Sequence, residues 1–502
     1  MILVNGFMKK INYIPFLKYF VLITIFILCL LNLHKGHNWG GDFSLYIHQA
    51  ESILEGTSND LALKNKFTVE NSSFKGLSPV LYPWSFPILL TPAYAIFGLN
   101  FFVFKLLEVI FLVSALYIIF LIIKANNLLS LKYNLFFITI TGFNIEYLKA
   151  TNNVLSDIPF LLFSFISLYY ILKFLKTPNK NAWLQAVFLG FILFFSFSIR
   201  TEGIGLFFAL LVGQIQYLFF VYKRGDSVLQ NKHLPFILPY ITATILYFIL
   251  GLKLPMGFTS HFSYEELISW GTPALNLEIY FNLLKEKMFG NLVIPYIIHF
   301  ILWIAVVGLI SRLKKDIIFV TYLLFLVALF SIWPFTPLRF LYTVYPFILY
   351  FLIHGLLFIT KCSKQNFFVK YMALFILWIC LSTNIIKTFS ATYKSQSNSN
   401  NVVFGPESIE SKEMFAFIKT NTQEQDIIAF FKPRVMHFYT DRVSLALSIN
   451  RDEIIEKTAY YVETKGMGTY LQVPIENRYV TDNRFKNMFS NSKFNIYKIE
   501  DN

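Results

Sequence analysis

Few residues in this chain combine a chemically useful type with an informative setting. Asp42 follows two glycines in Gly40-Gly41-Asp42-Phe43-Ser44-Leu45-Tyr46. Asp157 closes Asn152-Asn153-Val154-Leu155-Ser156-Asp157, and Arg200 and Glu202 flank Thr201. Arg339 sits in Pro337-Leu338-Arg339-Phe340-Leu341-Tyr342. A positioned carboxylate can take a proton from a hydroxyl nucleophile. A guanidinium can hold a phosphate through paired N–H groups. Each residue also has a plainer reading. Asp42 can be a helix N-cap, Asp157 and Arg200 a structural ion pair, and Arg339 a side chain reaching to lipid phosphate. The run Leu81-Tyr82-Pro83-Trp84-Ser85-Phe86-Pro87 reads either as an interfacial aromatic-proline segment or as a wall beside a lipid or sugar.

Apolar segments position these residues. The 502 residues are 56% hydrophobic and 14% charged, with 58 phenylalanines. Soluble domains are about 45–50% apolar and about 25% charged. Only a bilayer accepts so much apolar surface. The sequence predicts about eleven spans, near 14–33, 101–123, 133–149, 154–174, 183–199, 203–221, 234–252, 291–311, 316–333, 340–360 and 366–387. The Pro-rich segment 84–98 is read as an interfacial helix.

Charge sets the expected orientation. With a cytoplasmic N-terminus, the inner turns carry Lys124, Lys132, Lys173, Lys176, Lys223, Arg224, Arg312, Lys314, Lys315, Lys361 and Lys364. The short outer turns carry only Lys149, Arg200 and Arg339. Basic residues concentrate in cytoplasmic loops, so the N-terminus is expected inside and the C-terminus outside. Loops at 34–100 and 253–290 then lie outside, as does the tail at 388–502. That tail carries 14 basic and 14 acidic residues, so the net charge of +14 belongs to the membrane part. No nucleic-acid partner is needed to explain it.

The tail is expected to be a small α/β unit behind a polar linker at Ser395–Asn401. Helices are predicted at 407–420, 433–439 and 452–463. Strands are predicted at Asp426–Phe431, Val443–Leu447, 469–473 and 494–499. Cys29, Cys362 and Cys380 lie in or beside apolar segments and imply no disulfide framework. His34, His37, His48 and His261 match no zinc spacing and are read as solvated or interfacial. Lys105 and Glu108, three apart, are expected to pair with each other.

In order and sidedness, Asp42, Tyr82–Leu90, Leu155-Ser156-Asp157, Arg200-Thr201-Glu202 and Leu338-Arg339-Phe340 resemble the GT-C glycosyltransferases. These include protein O-mannosyltransferases and lipid A aminoarabinose transferases. The resemblance implies a polytopic α-helical GT-C-like domain over 1–387 and a C-terminal extracytoplasmic α/β domain over 388–502. It implies transfer of a sugar from a polyprenyl-phosphate carrier to a hydroxyl acceptor, with inversion and Asp42 as general base. Tyr46, Tyr82, Trp84, Asp157, Arg200, Glu202 and Arg339 become substrate-binding candidates. Some members carry Lys where this chain has Tyr82, which passes the phosphate contact to Arg339 or Arg200. No metal ligand or cofactor is assigned, and a divalent cation is left open. The expected setting is a bacterial plasma membrane, with membrane lipid and an unidentified lipid, glycan or protein acceptor as partners. The competing readings are a transporter or lipid-linked sugar flippase, and a polysaccharide ligase or polymerase. A transporter predicts charges deep in several spans and internal repeats.

Overall fold

The computed structural model describes residues 14–73, 79–176, 182–224, 231–256, 271–289, 295–364, 366–397, 405–447, 451–465 and 484–500. Helix α1 (Ile14–Leu31) leads into three helices, α2 (Asp42–Glu55), α3 (Ser58–Asn71) and α4 (Ser85–Phe97). The bundle continues through α5 (Phe101–Ala125), α6 (Leu131–Gly142), α7 (Ile145–Ala150), α8 (Asp157–Lys176), α9 (Ala182–Ile199), α10 (Ile204–Lys223) and α11 (Leu238–Gly251). After α12 (Thr272–Leu283) come α13 (Pro295–Arg312), α14 (Ile317–Ile332), α15 (Leu341–Cys362) and α16 (Phe367–Ser397).

Among the described residues, seven helices are long and apolar enough to cross a bilayer: 101–125, 157–176, 182–199, 201–223, 234–251, 338–362 and 367–396. Four shorter apolar helices cover 16–31, 85–97, 298–312 and 317–332. The protein is therefore a multi-pass membrane protein.

The helices depart from the expected elements at three points. The span at 133–149 is broken into α6 and α7. Asn144 causes the break by capping α7, accepting from the Glu146 amide at 3.0 Å, and by donating to the Met288 carbonyl at 2.8 Å. Asp157 does not lie a turn inside its span but is the first residue of α8. Helix α16 runs on to Ser397, past the boundary placed at 387 and into the expected linker, whose end lies outside the described residues.

The tail contains α17 (Ile409–Asn421), β1 (Ile428–Ala429), α18 (Pro433–Thr440), β2 (Ser444–Leu445), α19 (Arg451–Lys457), β3 (Tyr460–Thr464), β4 (Phe485–Ser490) and β5 (Phe494–Ile499). The sheet order is β2-β1-β3-β5-β4, with β1 parallel to β2 and β3, and β5 antiparallel to β3 and β4. The helix expected at 452–463 ends at Lys457, because Tyr460-Tyr461-Val462 joins the sheet instead. Aromatic and β-branched residues suit that half-buried pleated setting. Strand β4 was not expected, and the strand expected at 469–473 lies outside the described residues.

The tail packs directly on the helices after α1. α18 lies against α2. The Ser73 amide donates to the Ala446 carbonyl, and the Ala446 amide to Ser72 Oγ, both at 3.0 Å. One apolar core joins Phe43, Tyr82 and Trp84 to Phe415, Phe430 and Ile496.

Candidate functional site

The loop after α1 is stapled to the loop before α8. The His34 amide donates to Asn152 Oδ1 at 2.8 Å, Asn38 Nδ2 to Asn153 Oδ1 at 2.7 Å, and Asn152 Nδ2 to the Asn32 carbonyl at 2.7 Å. His37 is buried rather than solvated: its Nε2 accepts from the Val154 amide at 3.0 Å and its ring stacks on Phe43. Lys105 and Glu108 do not pair with each other. Lys105 Nζ donates to the His34 and Gly36 carbonyls, and Glu108 Oε1 accepts from the Leu155 amide. Both serve the loops that carry Asp42 and Asp157, because unmet backbone groups at buried helix ends must find partners.

Asp42 is the first residue of α2, and its carboxylate is committed outward rather than to a cap. Oδ1 accepts from Tyr82 Oη at 2.7 Å and Oδ2 from Arg339 Nη1 at 2.7 Å. Asp42, Tyr46 and Gln49 share one face of α2 by their spacing. Gln49 clamps the Tyr82 backbone, donating to its carbonyl at 2.9 Å and accepting from its amide at 3.0 Å. The Tyr46 ring stacks on Tyr82 at 4.4 Å, and its hydroxyl meets Ser156 Oγ at 2.8 Å.

The charged residues continue inward in alternating sign. Arg339 Nη1 lies 4.0 Å from Asp157 Oδ2, and Arg200 Nη1 donates to Asp157 Oδ1 at 2.5 Å. Arg200 Nε and Nη2 both donate to Glu202 Oε1, at 3.1 and 2.6 Å. The series is Glu202, Arg200, Asp157, Arg339, Asp42. Asp157 and Arg200 side chains are 5% and 12% exposed, whereas Asp42 and Arg339 keep 25% and 31%. The inner members are thus largely withdrawn from solvent, with Asp157 Oδ2 buried and without a hydrogen-bond partner, and the outer pair is the more exposed end. Burial favours the neutral acid of Asp42, but Arg339, Arg434 and the Tyr82 hydrogen bond outweigh it. They hold the Asp42 carboxyl well below the usual carboxylate range.

The structure thus brings six expected residues into one network: Asp42, Tyr82, Asp157, Arg200, Glu202 and Arg339. Tyr46 is adjacent but buried, with its hydroxyl occupied by Ser156. Trp84 is fully buried and donates from Nε1 to the Pro255 carbonyl at 3.2 Å, so it supports the wall without facing the opening.

Sequence reasoning missed the tail's contribution. Arg434 lies with its guanidinium carbon 5.4 Å from the Tyr82 ring centroid and donates from Nη2 to the Pro79 carbonyl at 2.7 Å. Trp39, three residues before Asp42, packs into the tail against Phe415, Phe430, Phe431 and Phe494. One signal was available. Lys432 and Arg434 flank Pro433 at the start of a helix, where the dipole disfavours cations.

The three carboxylates of the network are already charge-paired with arginines. No group of three His, Cys, Asp or Glu side chains that could hold a metal ion occurs among the described residues.

No protein-family model and no curated protein matches the sequence. Solved structures do match in fold. One is the archaeal oligosaccharyltransferase AglB from Archaeoglobus fulgidus, in complex with an inhibitory peptide and a dolichol-phosphate. It aligns with a TM-score of 0.52 at 12% identity, over 86% of this chain and 64% of that one. This chain thus spans just under two thirds of AglB. A second is ArnT from Cupriavidus metallidurans bound to undecaprenyl phosphate, with a TM-score of 0.51 at 11% identity, over 95% of this chain and 97% of that one. At such identities the likeness is one of fold alone.

Proposed function

We propose that this protein is a membrane glycosyltransferase that moves a sugar from a polyprenyl-phosphate carrier to a hydroxyl acceptor. The reading rests on a fold held in common with ArnT over nearly the full length of both chains. The observation that carries it is the pairing of Asp42 with Arg339, a carboxylate and a guanidinium side by side at the exposed end of the ionic network. Such a pair suits the two charges of the reaction, an acceptor proton to be removed and a phosphate to be released.

In the proposed step, the acceptor oxygen attacks the anomeric carbon and passes its proton to Asp42. The bond from that carbon to the phosphate oxygen breaks, and its electron pair leaves with the phosphate. A single displacement inverts the anomeric centre. Arg339 meets the phosphate. Its departure from Asp42 restores basicity to a carboxylate that is a weak base while the pair is closed. Arg200 holds Asp157 and Glu202 as a positioning network, and Tyr82 orients Asp42. We take the Asp42 end as extracytoplasmic from the basic bias of the opposite turns, with the helices through α16 as the membrane domain and the α/β tail that follows as the outer domain. A bacterial plasma membrane, eleven spans and undecaprenyl phosphate as carrier belong to the same reading.

The test is transfer of label from a radiolabelled polyprenyl-phosphate sugar to membrane acceptors by the purified protein, with Asp42→Asn beside it. Loss of about 10²–10⁴ in kcat is expected for the variant. Equal transfer by both proteins removes Asp42 as the base. Absence of turnover with any donor, alongside measurable lipid flipping, replaces the enzyme by the flippase.

A further inference from the structure

Several buried polar groups lie outside the site. Arg312, Asp316 and Tyr350 form a closed bonded set, in which Arg312 pairs with Asp316 through both carboxylate oxygens and Tyr350 donates to Oδ2. The His48 and His437 rings meet at 4.9 Å between α2 and α18, and each is pushed down by burial, yet no ligand-directed atom accompanies them. The start of α18 offers more.

Lys432 and Arg434 stand on either side of Pro433, at the first turn of an eight-residue helix packed on α2. Arg434 reaches the ring of the tyrosine that hydrogen-bonds Asp42. Only one of its guanidinium nitrogens, Nη2, has a hydrogen-bond partner among the described residues, the Pro79 carbonyl. Lys432 is half-buried at the N-cap of α18 and has neither a hydrogen bond nor an ion pair among the described residues. A helix start already carries partial positive charge, so a cation placed there is unfavourable unless an anion offsets it. Two cations placed there, with N–H donors left over, form an arrangement that an anion completes. The site ledger agrees. Asp42, Asp157 and Glu202 are countered by Arg200, Arg339, Lys432 and Arg434, so one positive charge is left over on the tail side.

We propose that Lys432 and Arg434 form a second phosphate-binding wall opposite Arg339, so that the tail completes the donor site of the membrane domain. This rests on the glycosyltransferase reading. As the bond from the anomeric carbon to the phosphate oxygen breaks, the electron pair stays on phosphate, which gains negative charge. Lys432 and Arg434 share that charge with Arg339, which has turned from Asp42 to the phosphate. Docking of Trp39 into the tail's aromatic core ties the Asp42 loop to the same packed unit.

The experiment uses full-length protein in detergent and measures binding of radiolabelled undecaprenyl phosphate and of undecaprenol, which lacks the phosphate. Lys432→Gln, Arg434→Gln and Arg434→Lys are compared with Lys486→Gln on the exposed strand β4. Each glutamine variant is expected to weaken the phosphate lipid about tenfold, the scale of one hydrogen bond to a charged group. The undecaprenol affinity should stay unchanged, Arg434→Lys should recover part of the loss, and Lys486→Gln should match wild type. Lys432→Gln breaks no hydrogen bond seen among the described residues, so it tests the idea even if Arg434→Gln fails to fold. A wild type that prefers the phosphate lipid while Lys432→Gln and Arg434→Gln bind it equally well overturns the tail site and spares the glycosyltransferase. Equal weakening for both lipids also overturns it, since that reports a displaced tail. A wild type that does not distinguish the two lipids removes the glycosyltransferase reading itself.

Discussion

Replacing Arg339 with Gln should bring an acid limb into the pH profile of transfer. In the wild type Arg339 donates to Asp42 at 2.7 Å and is the largest influence lowering that carboxyl. Opposite charges about 4 Å apart at an effective dielectric of about 20 interact by about 4 kcal/mol. Both side chains are partly exposed, and Arg434 remains, so only part of this is lost. A loss of about 1.4 kcal/mol already moves the titration by about one pH unit. The sign follows from linkage. The Asp42 carboxyl is held down in the folded protein, so the pair stabilises the fold above the ordinary carboxylate range. That stability disappears as pH falls towards the folded value. Without Arg339, burial pushes the Asp42 carboxyl upward, and protonation removes the base at a pH where the wild type still works. The assay is kcat/KM for label transfer from about pH 4.5 to 8, each variant normalised to its own plateau. Wild type and Arg339→Lys should stay flat to lower pH, whereas Arg339→Gln should fall at least one pH unit earlier. Identical acid limbs in all three would refute the coupling between Arg339 and Asp42.

Arg200→Ala leaves the carboxylates of Asp157 and Glu202 without their shared guanidinium; breaking such a buried pair costs about 3–5 kcal/mol. It should appear as a clear fall in Tm and yield, with Arg200→Lys intermediate. Trp39→Ala removes an aromatic that contacts four tail phenylalanines, at a cost of about 3 kcal/mol. Faster amide exchange in α17 than in the wild type is the expected readout, and unchanged exchange would argue against Trp39 as the tie. A reporter active only outside the cytoplasm, fused after Ser397, should be active, while one fused after Cys362 should be silent. The reverse pattern would invert the proposed orientation.

Much of the fold was legible because a bilayer imposes a simple rule. Apolar runs such as 101–123 and 183–199 have few alternatives to crossing it as helices, and their observed bounds lie close by. The tail was harder. Residues 460–464 carry a pattern compatible with continued helix, and only the neighbouring strands β1 and β5 turn them into β3. Within the bundle, the break at Asn144 depends on the Met288 carbonyl, which comes from a distant part of the chain.

The candidate site divides in the same way. Residue type and local setting sufficed to single out Asp42, Asp157, Arg200, Glu202 and Arg339, because a charge at a helix mouth is costly enough to need a reason. Pairing was beyond the sequence. Asp42 meets a guanidinium 297 residues away, and the identity of that partner follows from how α2, α8, α9 and the turn before α15 pack. Trp84, read as part of an interfacial segment or wall, is buried support. Arg434 reaches the Tyr82 ring only because α18 packs on α2. Local chemistry therefore determined which residues needed an explanation. Tertiary packing alone decided which of them share a site, since desolvation and charge pairing act through distances that chain spacing does not set.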